Sequence, residues 1–214
     1  MSEADYQQFL SEYRNSAAYH EAGHMSAAVL QGMPLQDRGL HVDPNGRGIA
    51  YYWQREPGDP GMTEQDQIER KRTIVAIYAA HIAQEKVFPD CPEHGWTKDR
   101  DTVRKLLVEM HPNDTEARGQ TASEMWDRAE KLVALYWNII EAQAKALLAK
   151  SWTPQPPVEI QENWSQGEAT TEKQMTGAEI VAFFEGFGIP AAIRQLSQGT
   201  CDSTTLAPYY DSLA

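Results

Sequence analysis

Residues 17 to 32 read AAYHEAGHMSAAVLQG, and within them His20, Glu21 and His24 fit the pattern H-E-x-x-H. On a helix, residues four apart share a face with their Cβ atoms about 5–6 Å from each other. Two imidazoles at that spacing can fill two corners of a zinc tetrahedron. Glu21 then points toward the open coordination position, where a carboxylate can take a proton from a zinc-activated water. The plainer readings are a solvated helix face or two core histidines with satisfied hydrogen bonds. The flanking AAY and MSAAVL argue against the first, because they make the surroundings of the polar residues an apolar wall. Gly23 stands inside the same helix at a cost of about 1 kcal/mol relative to Ala, and a close backbone neighbour is the expected reason.

A catalytic zinc usually keeps three protein ligands and one open position, so a third ligand is needed. The downstream candidates are His81, Glu85, His94, Asp99 and Asp101. Asp99 falls in the first turn of an expected helix, where a carboxylate gains from the helix dipole. Asp101, two residues on, is rotated to another face. His81 lies on an apolar stripe, the usual place of a satisfied core histidine. Glu85 is a further candidate, since other H-E-x-x-H peptidases take a glutamate from a following helix, and the residues alone leave the choice open.

The elements that must position these residues are mostly helical. A first helix is expected from about residue 4 to Gln31, stopped by Gly32 and Pro34. GLHVDPNGRGIAYYW then reads as a β-hairpin across Arg38–Trp53. A second helix is expected from near Thr63 to before Pro89, with Ile74, Ile77, Tyr78 and Ile82 on one face. A third runs from about Lys98 to Met110 with Thr97 as N-cap, and Pro112 follows it. A long fourth covers Ala122 to Lys150, opened by TASE and striped by Trp126, Ala129, Leu132, Val133, Tyr136 and Ile140. From Ser151 to Thr176 the composition turns to Pro, Gln, Glu and Thr, which reads as an extended linker or surface wrap. A short helix in GAEIVAFFEGFG and a weakly patterned tail close the chain. The class is mainly α with a small antiparallel β element. The expected organisation is a core over 1–150 and a C-terminal linker, helix and tail over 151–214, packed on or extending the same domain.

Bulk properties narrow the function. A net charge of −12 and a pI near 4.9 speak against nucleic acid as a partner. Cys91 and Cys201 make no disulfide framework and no paired metal-ligand spacing. No signal-peptide pattern and no long apolar run is present, so a soluble cytoplasmic protein without membrane insertion is expected.

YHEAGH resembles the signature of the peptidase domain of FtsH-type ATP-dependent zinc proteases. GLHVDPNGRGIAYY resembles the short strands after that family's zinc helix, and AAHIAQEKVF its GRxAEExxF helix end. GWTKDRDTVRKLLVEM is similar to its GAxxDxxxAxxxAxxM segment, and MTGAEIVAFF to its closing helix. The likeness spans roughly residues 15 to 187. It implies a helical, FtsH-peptidase-like fold with a small β-hairpin or sheet. It implies zinc held by His20, His24 and Asp99, with Glu21 as general base and then general acid. The chain departs from the pattern at Ala80 and His81, which replace GR, and at Gln84, which replaces the first glutamate of AEE. It also holds no G-x-x-x-x-G-K-[ST] loop.

The expected activity is therefore an ATP-independent zinc metalloendopeptidase with polypeptide substrates. Flexible or unfolded chains should be cut, and compact domains spared unless a separate unfoldase opens them. The alternative is a catalytically silent relative that keeps the fold, and zinc, as a binding or regulatory module.

Overall fold

The apolar run around His20 forms the second half of helix α1 (Glu3–Leu30), in which every residue from Ala18 to Leu30 is buried. A computed structural model describes residues 2–59, 61–89, 96–154 and 171–193. Ser2 opens α1 with a capping box, its hydroxyl accepting from the Asp5 N–H while the Asp5 carboxylate accepts from the Ser2 N–H. Because its second half is buried on all sides, α1 is the central helix that the other elements surround.

Helix α2 (Glu64–Val87) starts from a second capping box, Thr63 with Asp66, and runs along α1. Its contact face is built from small residues, Ala76, Ala79, Ala80 and Ala83, all fully buried. Gly23 of α1 meets this face. A Cβ there would stand 2.6 Å from Ala80 Cα and 2.8 Å from the Ala79 carbonyl oxygen. The close backbone neighbour expected from the sequence is thus α2 itself.

Four strands form one antiparallel sheet in the order β2-β1-β4-β3: β1 (Leu35–Val42), β2 (Gly48–Tyr52), β3 (Thr153–Pro154) and β4 (Thr171–Met175). β1 and β2 make the expected hairpin, with Leu40 opposite Ala50 and Val42 opposite Gly48. The Asp43 carboxylate holds its turn by accepting the N–H groups of Asn45 and Arg47 at 2.8 Å each. Leu40 and Val42 point into the core, which continues through α1, α2 and the remaining helices.

Helix α3 (Trp96–Met110) begins two residues before the expected start, so Thr97 is inside the helix and is not its cap. The long fourth helix is two helices, α4 (Thr115–Leu135) and α5 (Trp137–Ala149). Asp114 caps α4 by accepting from the Ala117 N–H, which carries the helix back past the TASE box. Tyr136, at φ −112° and ψ 21°, breaks the run. There the chain turns from α2, against which α4 lies, to α1, against which α5 lies. The stripe of Ala129, Leu132, Val133, Tyr136 and Ile140 is buried as expected across both pieces.

The Ser151–Thr176 stretch was expected to be linker, but its two ends are strands. Met175, Gln174 and Lys173 pair with Leu40, His41 and Val42, and β3 pairs with β4. TEKQM lacks apolar alternation, so its strand character comes from the open edge of β1 and not from its own pattern. Residues 155–170 and the tail from 194 lie outside the described residues. Helix α6 (Gly177–Glu185) opens on a third capping box, Thr176 with Glu179. No helix among the described residues is long and apolar enough to cross a membrane.

Candidate metal centre

α1 sets His20 and His24 one turn apart, their ring centroids separated by 4.8 Å and their planes at 78°. The first turn of α3 brings Asp99 to them. Its Oδ2 lies 3.0 Å from His20 Nε2 and 3.2 Å from His24 Nε2. The three ligand atoms all lie within 4.8 Å of one another, the one such convergence among the described residues.

Each imidazole is oriented from behind. His20 Nδ1 is 2.8 Å from Gln84 Oε1, and the Gln84 amide donates to Ser16 Oγ at 2.8 Å. An amide oxygen can only accept, so His20 Nδ1 donates to Gln84 and Nε2 is the ring nitrogen that faces Asp99. Behind His24, the Tyr52 hydroxyl lies 3.3 Å from Nδ1. Gln84 therefore holds His20 at the position where the resemblance has a carboxylate. Tyr52 was not singled out from the sequence. GIAYYW signals a strand but not which of its tyrosines turns inward.

The electrostatics are those of a site arranged around positive charge. Burial alone would raise the Asp99 carboxyl, but charge on His24, hydrogen bonds from both imidazoles and charge on His20 outweigh it. The carboxyl is held far below the usual carboxylate range. Glu21 goes the other way. Burial, opposed by charge on His20 and reinforced by Asp99, pushes its carboxyl up to about 7, while the Ala50 backbone N–H and Lys98 pull down more weakly. The two carboxyl groups share one cleft with opposite tendencies, one fixed as an anion and one poised near neutrality. Two imidazole nitrogens and one carboxylate oxygen beside open space could hold a metal ion, and these donor types fit zinc.

The other candidates lie elsewhere. Glu85 is largely exposed and pairs with His81 at 3.1 Å, and the His81 ring stacks on Trp96 with centroids 4.2 Å apart. Asp101 is exposed, 3.6 Å from Arg104. His94 lies outside the described residues.

Above the three side chains opens a cleft of about 400 Å³, lined among others by Tyr13, Glu21, Gly48, Ala50, Gln54 and Lys98. One wall is β2, which has β1 on one side and no described strand on the other. Gly48 is required there by proximity, since a Cβ would stand 2.4 Å from Glu21 Cγ and 2.9 Å from its Oε1. Compared with the models of known protein families and with curated proteins, the chain matches none.

Proposed function

We propose that this chain is a zinc-dependent endopeptidase acting on flexible or unfolded polypeptides, and that it is related to the peptidase domain of FtsH-type proteases. The observation that carries the reading is the convergence of His20, His24 and Asp99 on one point beside a buried Glu21 and a strand, β2, that has no strand on its outer side among the described residues. His20 Nε2, His24 Nε2 and Asp99 Oδ2 would hold the metal. A zinc ion so held supplies Lewis acidity, polarising a scissile carbonyl and making water acidic near neutral pH.

The rest is the work of the chain's own groups. Gln84 and Tyr52 fix the two rings so that both Nε2 atoms face the cleft. Glu21, buried in the cleft beside the three ligands, is placed to accept a proton from the attacking water and return it to the leaving nitrogen. The side of β2 away from β1, which has no strand beside it among the described residues, offers backbone groups other than the Ala50 N–H (which donates to Glu21) with which an extended peptide can pair across the cleft. A folded substrate does not present several consecutive residues in that form, which restricts cleavage to termini, loops and unfolded chains.

The test is to measure zinc per chain, and cleavage of a disordered protein, for the wild type and Glu21→Gln. Stoichiometric zinc in both, with turnover lost by about 10²–10⁴-fold in the variant, is expected of a general base that is not a ligand. A fully active Glu21→Gln refutes the mechanism. Zinc without turnover in the wild type leaves a binding module, and no zinc removes the site.

A further inference from the structure

Of the three converging side chains, His20 and His24 are fixed by the buried second half of α1, whereas Asp99 is brought in from 75 residues beyond His24, near the start of a polar helix end. Between Trp96 and Val103 the sequence is TKDRDT, and Val103 is the first fully buried residue of α3. Trp96 is thus the one apolar side chain in the first two turns, and it packs against the core. Its indole lies flat on the His81 ring, centroids 4.2 Å apart and planes at 11°. Tyr78, one turn earlier on α2, stands 6.0 Å from the same indole. Trp126 of α4 closes the group from the far side, 5.1 Å from Tyr78 and 5.9 Å from His81. Asp99 follows Trp96 by three residues, so the two sit one above the other on neighbouring positions of the helix surface.

We propose that Trp96, stacked on His81 and flanked by Tyr78, with Trp126 packed against those two rings, is the positioning residue that sets Asp99 as a ligand. The inference rests on the zinc reading above. The stack has the geometry of offset aromatic pairs, which are directional and resist sliding. A helix end pinned by one flat ring against His81 and Tyr78 keeps both its rotation and its distance from α2. A carboxylate one turn later then reaches the two Nε2 atoms without searching. Groups that orient a ligand from outside the metal's own shell typically carry about 10–100-fold in metal affinity.

The experiment is a double-mutant cycle on the full chain, read as zinc affinity by competition with a chromophoric chelator. The variants are Trp96→Ala, Asp99→Ala and the pair, with Trp96→Phe and His81→Ala beside them and thermal melts on all. Trp96→Ala should weaken zinc binding about 10–100-fold in the wild-type background and leave it unchanged in the Asp99→Ala background, since Trp96 acts only through Asp99. Trp96→Phe keeps a stacking ring and should recover most of the affinity. His81→Ala should fall between. Equal losses in both backgrounds, or wild-type affinity in Trp96→Ala, overturn the proposal. If Trp96→Ala fails to fold, Trp96→Phe and His81→Ala carry the same decision, and full affinity in His81→Ala counts against the stack. A wild-type chain that takes up no zinc overturns the metal site itself and this inference with it.

Discussion

Replacing Gly23 by alanine probes the contact on which the whole site is built. The added methyl would lie 2.6 Å from Ala80 Cα, 2.8 Å from Ala79 O and 3.0 Å from Ala80 N, all backbone atoms of α2. Carbon atoms rest at about 3.5–4.0 Å, so α1 and α2 must separate locally by roughly 1 Å. No side chain can rotate away to absorb the change. Against this, alanine gains about 1 kcal/mol over glycine inside a helix. Overpacking a tight core costs about 1–3 kcal/mol, and a clash with rigid backbone belongs at the upper end. The net is a destabilisation of about 1–2 kcal/mol. At about 2–4 °C per kcal/mol for a chain of this size, that is a fall of roughly 2–8 °C in Tm.

Gly119, exposed in α4, is the internal control. A Cβ there meets nothing within 4 Å. Gly119→Ala should therefore show the propensity gain alone and melt a few degrees higher. Calorimetry of the three metal-free proteins decides the matter. A Gly23→Ala variant that melts with the wild type or above it would refute the claim that the two backbones are in contact at this point.

Gly48→Ala places a methyl 2.4 Å from Glu21 Cγ, against a side chain that can yield. Stability and zinc content should change little while kcat for a disordered substrate falls at least tenfold, within the range a general base contributes, and an unchanged kcat would count against Glu21 as the base. Acid stability should depend on His41, buried on β1 with its Nδ1 3.3 Å from Glu172 Oε2. Burial, aided by the charge of Arg38, lowers its pKa from 6.5 to about 4. The unfolded chain therefore takes up a proton that the folded chain refuses, and stability is lost as pH falls from 6.5 toward 4, by up to about 3 kcal/mol. Glu172, raised by burial, offsets part of this. Urea titrations at pH 7 and 4.5 should show a smaller loss for His41→Gln than for the wild type, and equal losses would remove His41 from the account.

What the sequence revealed about the site follows the range over which each feature is encoded. His20, Glu21 and His24 lie within five residues on one helix, so their mutual geometry is fixed by helical periodicity and was readable directly. Asp99 is delivered by tertiary packing from a different helix. Helical register set it apart from Asp101, which faces solvent, but did not show which face of α3 would turn to α1. Gln84 was visible as a departure, but its bond to His20 became visible only once α1 and α2 were aligned. The same division holds for the fold. α1, α2 and α3 were read to within a residue or two, whereas α4 begins at Thr115, well before the expected Ala122. The bend at Tyr136 was not, because the stripe runs through it and the cause is the change of packing partner from α2 to α1. β4 was missed because TEKQM owes its strand form to the edge it completes.

The Gln84 departure bears on catalysis as well as on geometry. A carboxylate behind His20 would hold the imidazole equally well and would strengthen it as a ligand. It would also put a third carboxyl group into a cleft that already contains Asp99 and Glu21. Glu21 is raised first by burial and further by the negative charge of Asp99. Another anion nearby would raise it again and leave less of it ionised at neutral pH, where a base must be ready to accept a proton. The amide orients His20 through the same hydrogen bond and adds no charge. On the proposed zinc reading, Gln84 would thus orient His20 without adding a further anion beside Glu21.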